Sequence, residues 1–263
     1  MVLAIILVLG YLIGGIMTMF IYRWPNEIKI FSRRKDKEGN YTKWYESIPI
    51  LGYFIKRSYP NGDKKSINEV IVPLLNMLCY LVLYLMFGEV VGNYLFMAVV
   101  SCFIVVSYID FKYMLIPDRI HIIILIVGII ATICDHFLYF DEYGEIFQMS
   151  TLDHILGLVL GFFPIWILGI IVSKIKHKEA LGGGDIKLLG AAGLFLGWKN
   201  ILLAIVLAAC LALIIEKILQ ALKIREKGTQ FPFGPYLCLA MTISLMVGPY
   251  IINWYIGLFN GNV

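Results

Sequence analysis

Long apolar runs constrain this chain more than any other feature. Eight stand out, at residues 1–22, 70–87, 94–109, 120–140, 152–172, 188–197, 201–222 and 235–258. A helix crossing about 30 Å of hydrocarbon needs roughly 20 apolar residues. Only helices and closed barrels satisfy their backbone groups in lipid. The sixth run is short, and the others meet or approach the required length. Composition agrees: 60% of the 263 residues are hydrophobic and 15% are charged. Soluble domains carry about 45–50% and about 25%. Such a chain buries too much apolar surface to be disordered. Its net charge of +4 is too small to argue for a polyanion, so no nucleic-acid partner is expected. The expected fold is all-α, a polytopic membrane protein of about eight transmembrane helices in a lipid bilayer.

Basic residues predict the orientation. The first run has no basic residue before it, and its positive charge, Arg23, follows it. That pattern argues for a retained span with its N-terminus outside rather than a cleaved signal. Alternation then places segments 23–69, 110–119, 173–187 and 216–231 in the cytoplasm. They hold eleven, two, four and four Lys and Arg residues, 21 of the chain's 22, and only Lys199 falls elsewhere. The loop between runs four and five is assigned Asp135, Asp141, Glu142, Glu145 and Asp153, with no basic residue. Cytoplasmic enrichment in Lys and Arg is the expected bias. Three regions follow: a first span (1–23), a cytoplasmic loop domain (24–69) and a transmembrane core (70–263). The loop is polar and basic but contains an apolar patch at 44–55.

Three acids need a reason for their positions. Asp110 ends the third run, Asp118 follows Pro117 before the fourth, and Asp185 follows Gly182-Gly183-Gly184 before the sixth. An ionisable group at membrane depth is a functional candidate by default. The topology places all three at the cytoplasmic side. Two carboxylates that approach closely share a proton. The ionised one can then accept a proton from water while the other polarises a carbonyl. Among the four histidines, His136 and His154 are assigned to the external side, and none suggests a nucleophile triad. The three glycines permit unusual backbone angles or a close approach. The five cysteines, Cys79, Cys102, Cys134, Cys210 and Cys238, lie in or beside apolar stretches and form no C-x-x-C pair. They read as small hydrophobes.

Five motifs in order identify a family. They are Gly14-Gly15 through Phe20-Ile21-Tyr22-Arg23-Trp24-Pro25; Trp44-Tyr45-Glu46-Ser47-Ile48-Pro49; Ile109-Asp110 through Ile116-Pro117-Asp118; Gly182-Gly183-Gly184-Asp185-Ile186-Lys187; and Pro232-Phe233-Gly234-Pro235-Tyr236. The chain resembles the bacterial type IV prepilin leader peptidases, membrane aspartic proteases of the GxGD type. That resemblance implies cleavage of a basic leader from prepilins or pseudopilins, after a glycine, at the cytoplasmic face of the inner membrane. It implies Asp110 and Asp185 as the catalytic pair, with Asp118, Gly182, Gly184 and Lys187 in support. Many members also methylate the new N-terminus with S-adenosylmethionine, an activity associated with the first loop. Typical members carry two C-x-x-C pairs there that bind zinc. Residues 24–69 contain no cysteine, so no zinc is expected, and Glu46 is the candidate loop residue. The alternatives are another GxGD protease, such as a preflagellin-type peptidase, or a proton-coupled transporter. A transporter predicts paired broken-helix repeats, which the sequence does not display.

Overall fold

The computed structural model describes residues 1–25, 67–137, 147–176, 182–226 and 230–260. Among them every long element is a helix and there is no strand. The helices are α1 (Val2–Arg23), α2 (Asn68–Phe87), α3 (Val91–Tyr113), α4 (Asp118–Phe137), α5 (Thr151–Lys176), α6 (Gly183–Ala221) and α7 (Gly234–Asn260). All seven are long and apolar enough to cross a membrane. Exposed Leu, Ile, Val and Phe side chains cover their outer faces, which suits lipid as solvent. Residues 26–66, including Glu46 and the 44–55 patch, lie outside the described residues.

Each apolar run falls on a helix, but the sixth and seventh share α6. Gly197 interrupts that helix with φ 75° and ψ 166°, angles that favour glycine. Twelve residues of straight helix would separate Leu189 from Ile201 by about 18 Å. Instead both lie against Gly161 of α5. The chain therefore folds back at Gly197, and α6 is two arms joined by a tight turn. The break removes helical partners from carbonyls just before it, and side chains replace them. His154 bonds the Leu194 carbonyl at 2.7 Å, and Asn200 Nδ2 donates to the Leu196 carbonyl at 3.0 Å. Buried backbone groups must be paired in this way.

Contacts divide the chain into two units, Met1–Glu89 and Val90–Val263. In the first unit, α1 packs on α2 through Gly10 and Gly14. Gly10 faces Met77 and Tyr80, and Gly14 lies directly on Pro73. Small residues four apart let helix backbones approach where no hydrophobic force drives association. Buried Asn76 adds a polar tie, donating from Nδ2 to the Gly10 carbonyl at 2.7 Å.

In the second unit the same device joins α5 to α6. Gly157 and Gly193 press backbone to backbone, so a methyl at either would meet the other's carbonyl oxygen. Around this seam the core holds fully buried Phe96, Phe103, Ile120, Ile124, Leu188, Leu196 and Leu237. Phe96 packs on Phe147 and Phe195 with ring centroids 6.1 and 6.2 Å apart.

Asp135 departs from the sequence expectation. It lies inside α4, 7% exposed, rather than in a solvated loop. Its Oδ2 stands 3.0 Å from His154 Nε2 and accepts the Met149 N–H at 2.6 Å. The carbonyl of Leu194 can only accept, so His154 Nδ1 carries a proton. A charge count places an acid in a loop by its polarity alone, whereas a buried partner lets a helix retain it.

Candidate active site

Asp110 sits one turn before the end of α3 and is 6% exposed. The helix stops just after it: Met114 takes a left-handed conformation, φ 51°, and donates its N–H to the Asp110 carbonyl at 2.8 Å. On the side-chain side, Oδ2 accepts the Gly234 N–H at 2.8 Å. Gly234 opens α7, where backbone N–H groups have no helical acceptor and carry partial positive charge. The carboxylate of one helix thus meets the positive end of another.

Asp185 lies in the first turn of α6, also at a helix N-terminus. Its N–H is bonded to the Gly182 carbonyl at 3.1 Å. It is close enough to Asp110 to feel that residue's charge. Its Oδ1 is buried with no hydrogen-bond partner among the described residues. That oxygen is free to accept a hydrogen bond from a further group. Cys238, fully packed one turn into α7, shares these surroundings and lies against Ser107 of α3. The structure therefore brings the two sequence-selected acids together from α3 and α6, with α7 behind them.

The glycines beside Asp185 act through space rather than unusual angles. Gly182 caps α6 with φ −65°, and Gly183 and Gly184 are helical. A Cβ on Gly182 would stand 3.2 Å from Asp185 Oδ2, and one on Gly184 would stand 3.1 Å from Ile116 Cβ. Gly182 keeps room beside the carboxylate, while Gly184 admits the loop ahead of Pro117. Gly234 completes the pattern: its Cβ would stand 2.8 Å from Asp110 Oδ2. Each carboxylate is flanked by a residue with no side chain.

Asp118 and Lys187 form a separate pair. Lys187 Nζ donates to Asp118 Oδ1 at 2.7 Å, with side chains 53% and 70% exposed. Two residues along a helix turn about 200°. Lys187 therefore faces α4 while Asp185 faces the opposite way. His121 Nδ1 lies 3.5 Å from Asp118 Oδ1. The structure joins the Pro117-Asp118 turn to the start of α6 through this pair rather than placing it on the carboxylates. Among the described residues no group of three His, Cys, Asp or Glu side chains could hold a metal ion.

Two partners escaped the sequence reading. One is the Gly234 N–H, which only the return of α7 to α3 supplies. The other is Glu216, assigned there to a cytoplasmic segment but 5% exposed inside α6. The available signal was an acid lying inside the apolar run at 201–222.

Known proteins resemble the chain over most of its length. Residues 97–216 match the model of the type IV leader peptidase family, and residues 8–89 match the bacterial peptidase A24 N-terminal domain. The chain belongs to the type IV leader peptidase family. Among its relatives is a prepilin leader peptidase/N-methyltransferase of Xanthomonas campestris, 28% identical over 94% of this chain and 92% of the relative. Proteins of the same description from Pseudomonas aeruginosa and Stutzerimonas stutzeri are 26% and 25% identical, each over 95% of this chain and 92% of theirs. No solved structure matches the chain. Membership fits a multi-pass membrane peptidase. Both matched regions include helices described above, and residues 97–216 contain Asp110, Asp118 and Asp185.

Proposed function

We propose that this protein is a prepilin leader peptidase of the inner membrane, with Asp110 and Asp185 as its catalytic residues. The observation that carries the assignment is the convergence of two membrane-depth carboxylates from α3 and α6, one oriented by Gly234 N–H and the other with an open oxygen. Two adjacent carboxylates hold one proton between them. The ionised carboxylate takes a proton from water as the water oxygen attacks the scissile carbonyl carbon. The protonated carboxyl gives its proton to the carbonyl oxygen. Collapse of the resulting diol breaks the C–N bond: the departing nitrogen takes a proton from the protonated carboxyl, and a diol hydroxyl gives its proton to the ionised carboxylate, which leaves one proton on the dyad again. Gly182 and Gly234 leave the approach to both acids clear. Asp118 and Lys187 support the site by fixing the loop before α4 against α6.

Substrate and topology follow from the family and the charge pattern. The proposed substrates are prepilins or pseudopilins, cut after the leader glycine at the cytoplasmic face. The basic leader stays in water while the apolar segment enters the bilayer. Methylation of the new N-terminus by S-adenosylmethionine is the second proposed activity, since the relatives' names join both. Glu46, its candidate loop residue, lies outside the described residues, and no methyl step is derived.

The test is cleavage of a prepilin in liposomes by the parent, Asp110→Asn and Asp185→Asn, with intact products weighed by mass spectrometry. Cleavage after the leader glycine that both variants lose supports the dyad. Cleavage retained by either variant removes that residue from it. A further gain of about 14 Da with S-adenosylmethionine, one methyl group, supports methyl transfer.

A further inference from the structure

Behind Gly234 stands a polar cluster that the proposed chemistry does not use. Glu216 is buried in the second arm of α6. The chain beyond α6 turns back through Lys223, φ 57°, and the Ile224 N–H bonds the Leu219 carbonyl at 3.0 Å. That turn carries Arg225 to Glu216, where Nη1 donates to Oε1. The same Oε1 accepts the Tyr236 hydroxyl at 2.8 Å. Tyr236 lies in the first turn of α7, two residues past Gly234. Its N–H bonds the Phe233 carbonyl at 3.1 Å, and its ring stands edge-on to Phe231 with centroids 6.1 Å apart. Tyr236 is thus anchored to α6 at its hydroxyl and holds both ends of the turn at its ring and backbone. The Pro232-Phe233-Gly234 turn lies between those holds, and its Gly234 N–H reaches Asp110.

We infer that Glu216 is a positioning residue for the dyad: through Tyr236 and Arg225 it fixes the start of α7 so that the Gly234 N–H meets Asp110 Oδ2. The inference rests on Asp110 being catalytic. A buried carboxylate is costly unless paired, and one of the two partners of Glu216, Tyr236, lies two residues past the Gly234 whose N–H meets Asp110. Misplacing a catalytic group by about 1 Å costs up to about 10²-fold in rate.

The experiment compares Tyr236→Phe, Glu216→Gln and Glu216→Leu with the parent in liposomes. Cleavage of a prepilin gives kcat and KM across pH. Hydrogen exchange read by mass spectrometry follows residues 230–237, and thermal melts give the folded fraction. Tyr236→Phe is expected to lower kcat about tenfold with KM within about twofold. It should also displace the pH profile and speed exchange at the Gly234 amide. Glu216→Gln keeps an acceptor for both donors and should recover most of the activity, whereas Glu216→Leu should not. Unchanged exchange and pH profile in Tyr236→Phe, or loss of activity only in proportion to lost folded protein, overturns the inference. Cleavage retained by Asp110→Asn overturns the dyad instead, and the exchange result then still reports whether Glu216 holds the turn.

Discussion

Asp110 and Gly234 are 124 positions apart in the chain, yet the Gly234 N–H donates to Asp110 Oδ2 at 2.8 Å. This one bond ties the end of α3 to the start of α7 and gives the buried carboxylate a fixed partner. It also sets a residue without a side chain against one carboxylate of the proposed dyad. The consequences can be measured.

Replacing Gly234 with Ala should lower kcat by about 10²-fold, because the new Cβ would meet Asp110 Oδ2 at 2.8 Å and push it aside. Gly182→Ala should be milder, since its Cβ would stand 3.2 Å from Asp185 Oδ2. Gly183→Ala, with nothing within 4 Å of its Cβ, should be silent. Steady-state cleavage by the three variants checks the order, and an inactive Gly183→Ala would sink the steric account.

Asp110→Asn and Asp185→Asn should each reduce cleavage by at least about 10²–10⁴-fold, the contribution typical of a positioned proton-transfer group. Both should retain the parent's helical circular dichroism and melting temperature. A single variant with substantial activity would leave one acid as the only essential group.

The Asp118–Lys187 pair is exposed, and solvent screens it. Asp118→Asn should therefore leave thermal unfolding unchanged and reduce cleavage by less than about tenfold, well short of a proton-transfer group. Parallel melting and cleavage assays decide this. A loss as deep as that of Asp185→Asn would place Asp118 on the reacting atoms.

The Asp135–His154 pair is the opposite case, with side chains 1% and 0% exposed. Removing one partner of a buried pair typically costs about 3–5 kcal/mol. His154→Ala should be destabilised on that scale in detergent unfolding, and it also strips the Leu194 carbonyl of its partner. Asp135 lies about 25 Å along α4 from Asp118, so the folded fraction should still cleave. Unaltered stability would mean that the pair contributes little to the Gly197 turn.

Much of this architecture was legible in order of residues. Apolar runs report which segments lipid will accept, and each run became a helix because a backbone in lipid must bond to itself. The acids were legible because a charge at the edge of such a run needs a reason to be there. The motifs then paired Asp110 with Asp185. Gly197 was less legible: a glycine at the end of a run looks like any loop residue until the chain is seen to fold back there.

Tertiary structure alone decided the rest. Hydropathy records a residue's own preference for water or lipid, not what faces it. Asp135 therefore read as a loop acid until His154 on the next helix came within 3.0 Å. Glu216 read as part of a cytoplasmic segment until Tyr236 and Arg225 closed around it. The hydrogen bond from Gly234 to Asp110 had no local signature at all. A backbone N–H looks the same at every non-proline position, and only the return of α7 to the end of α3 gives this one a carboxylate to hold.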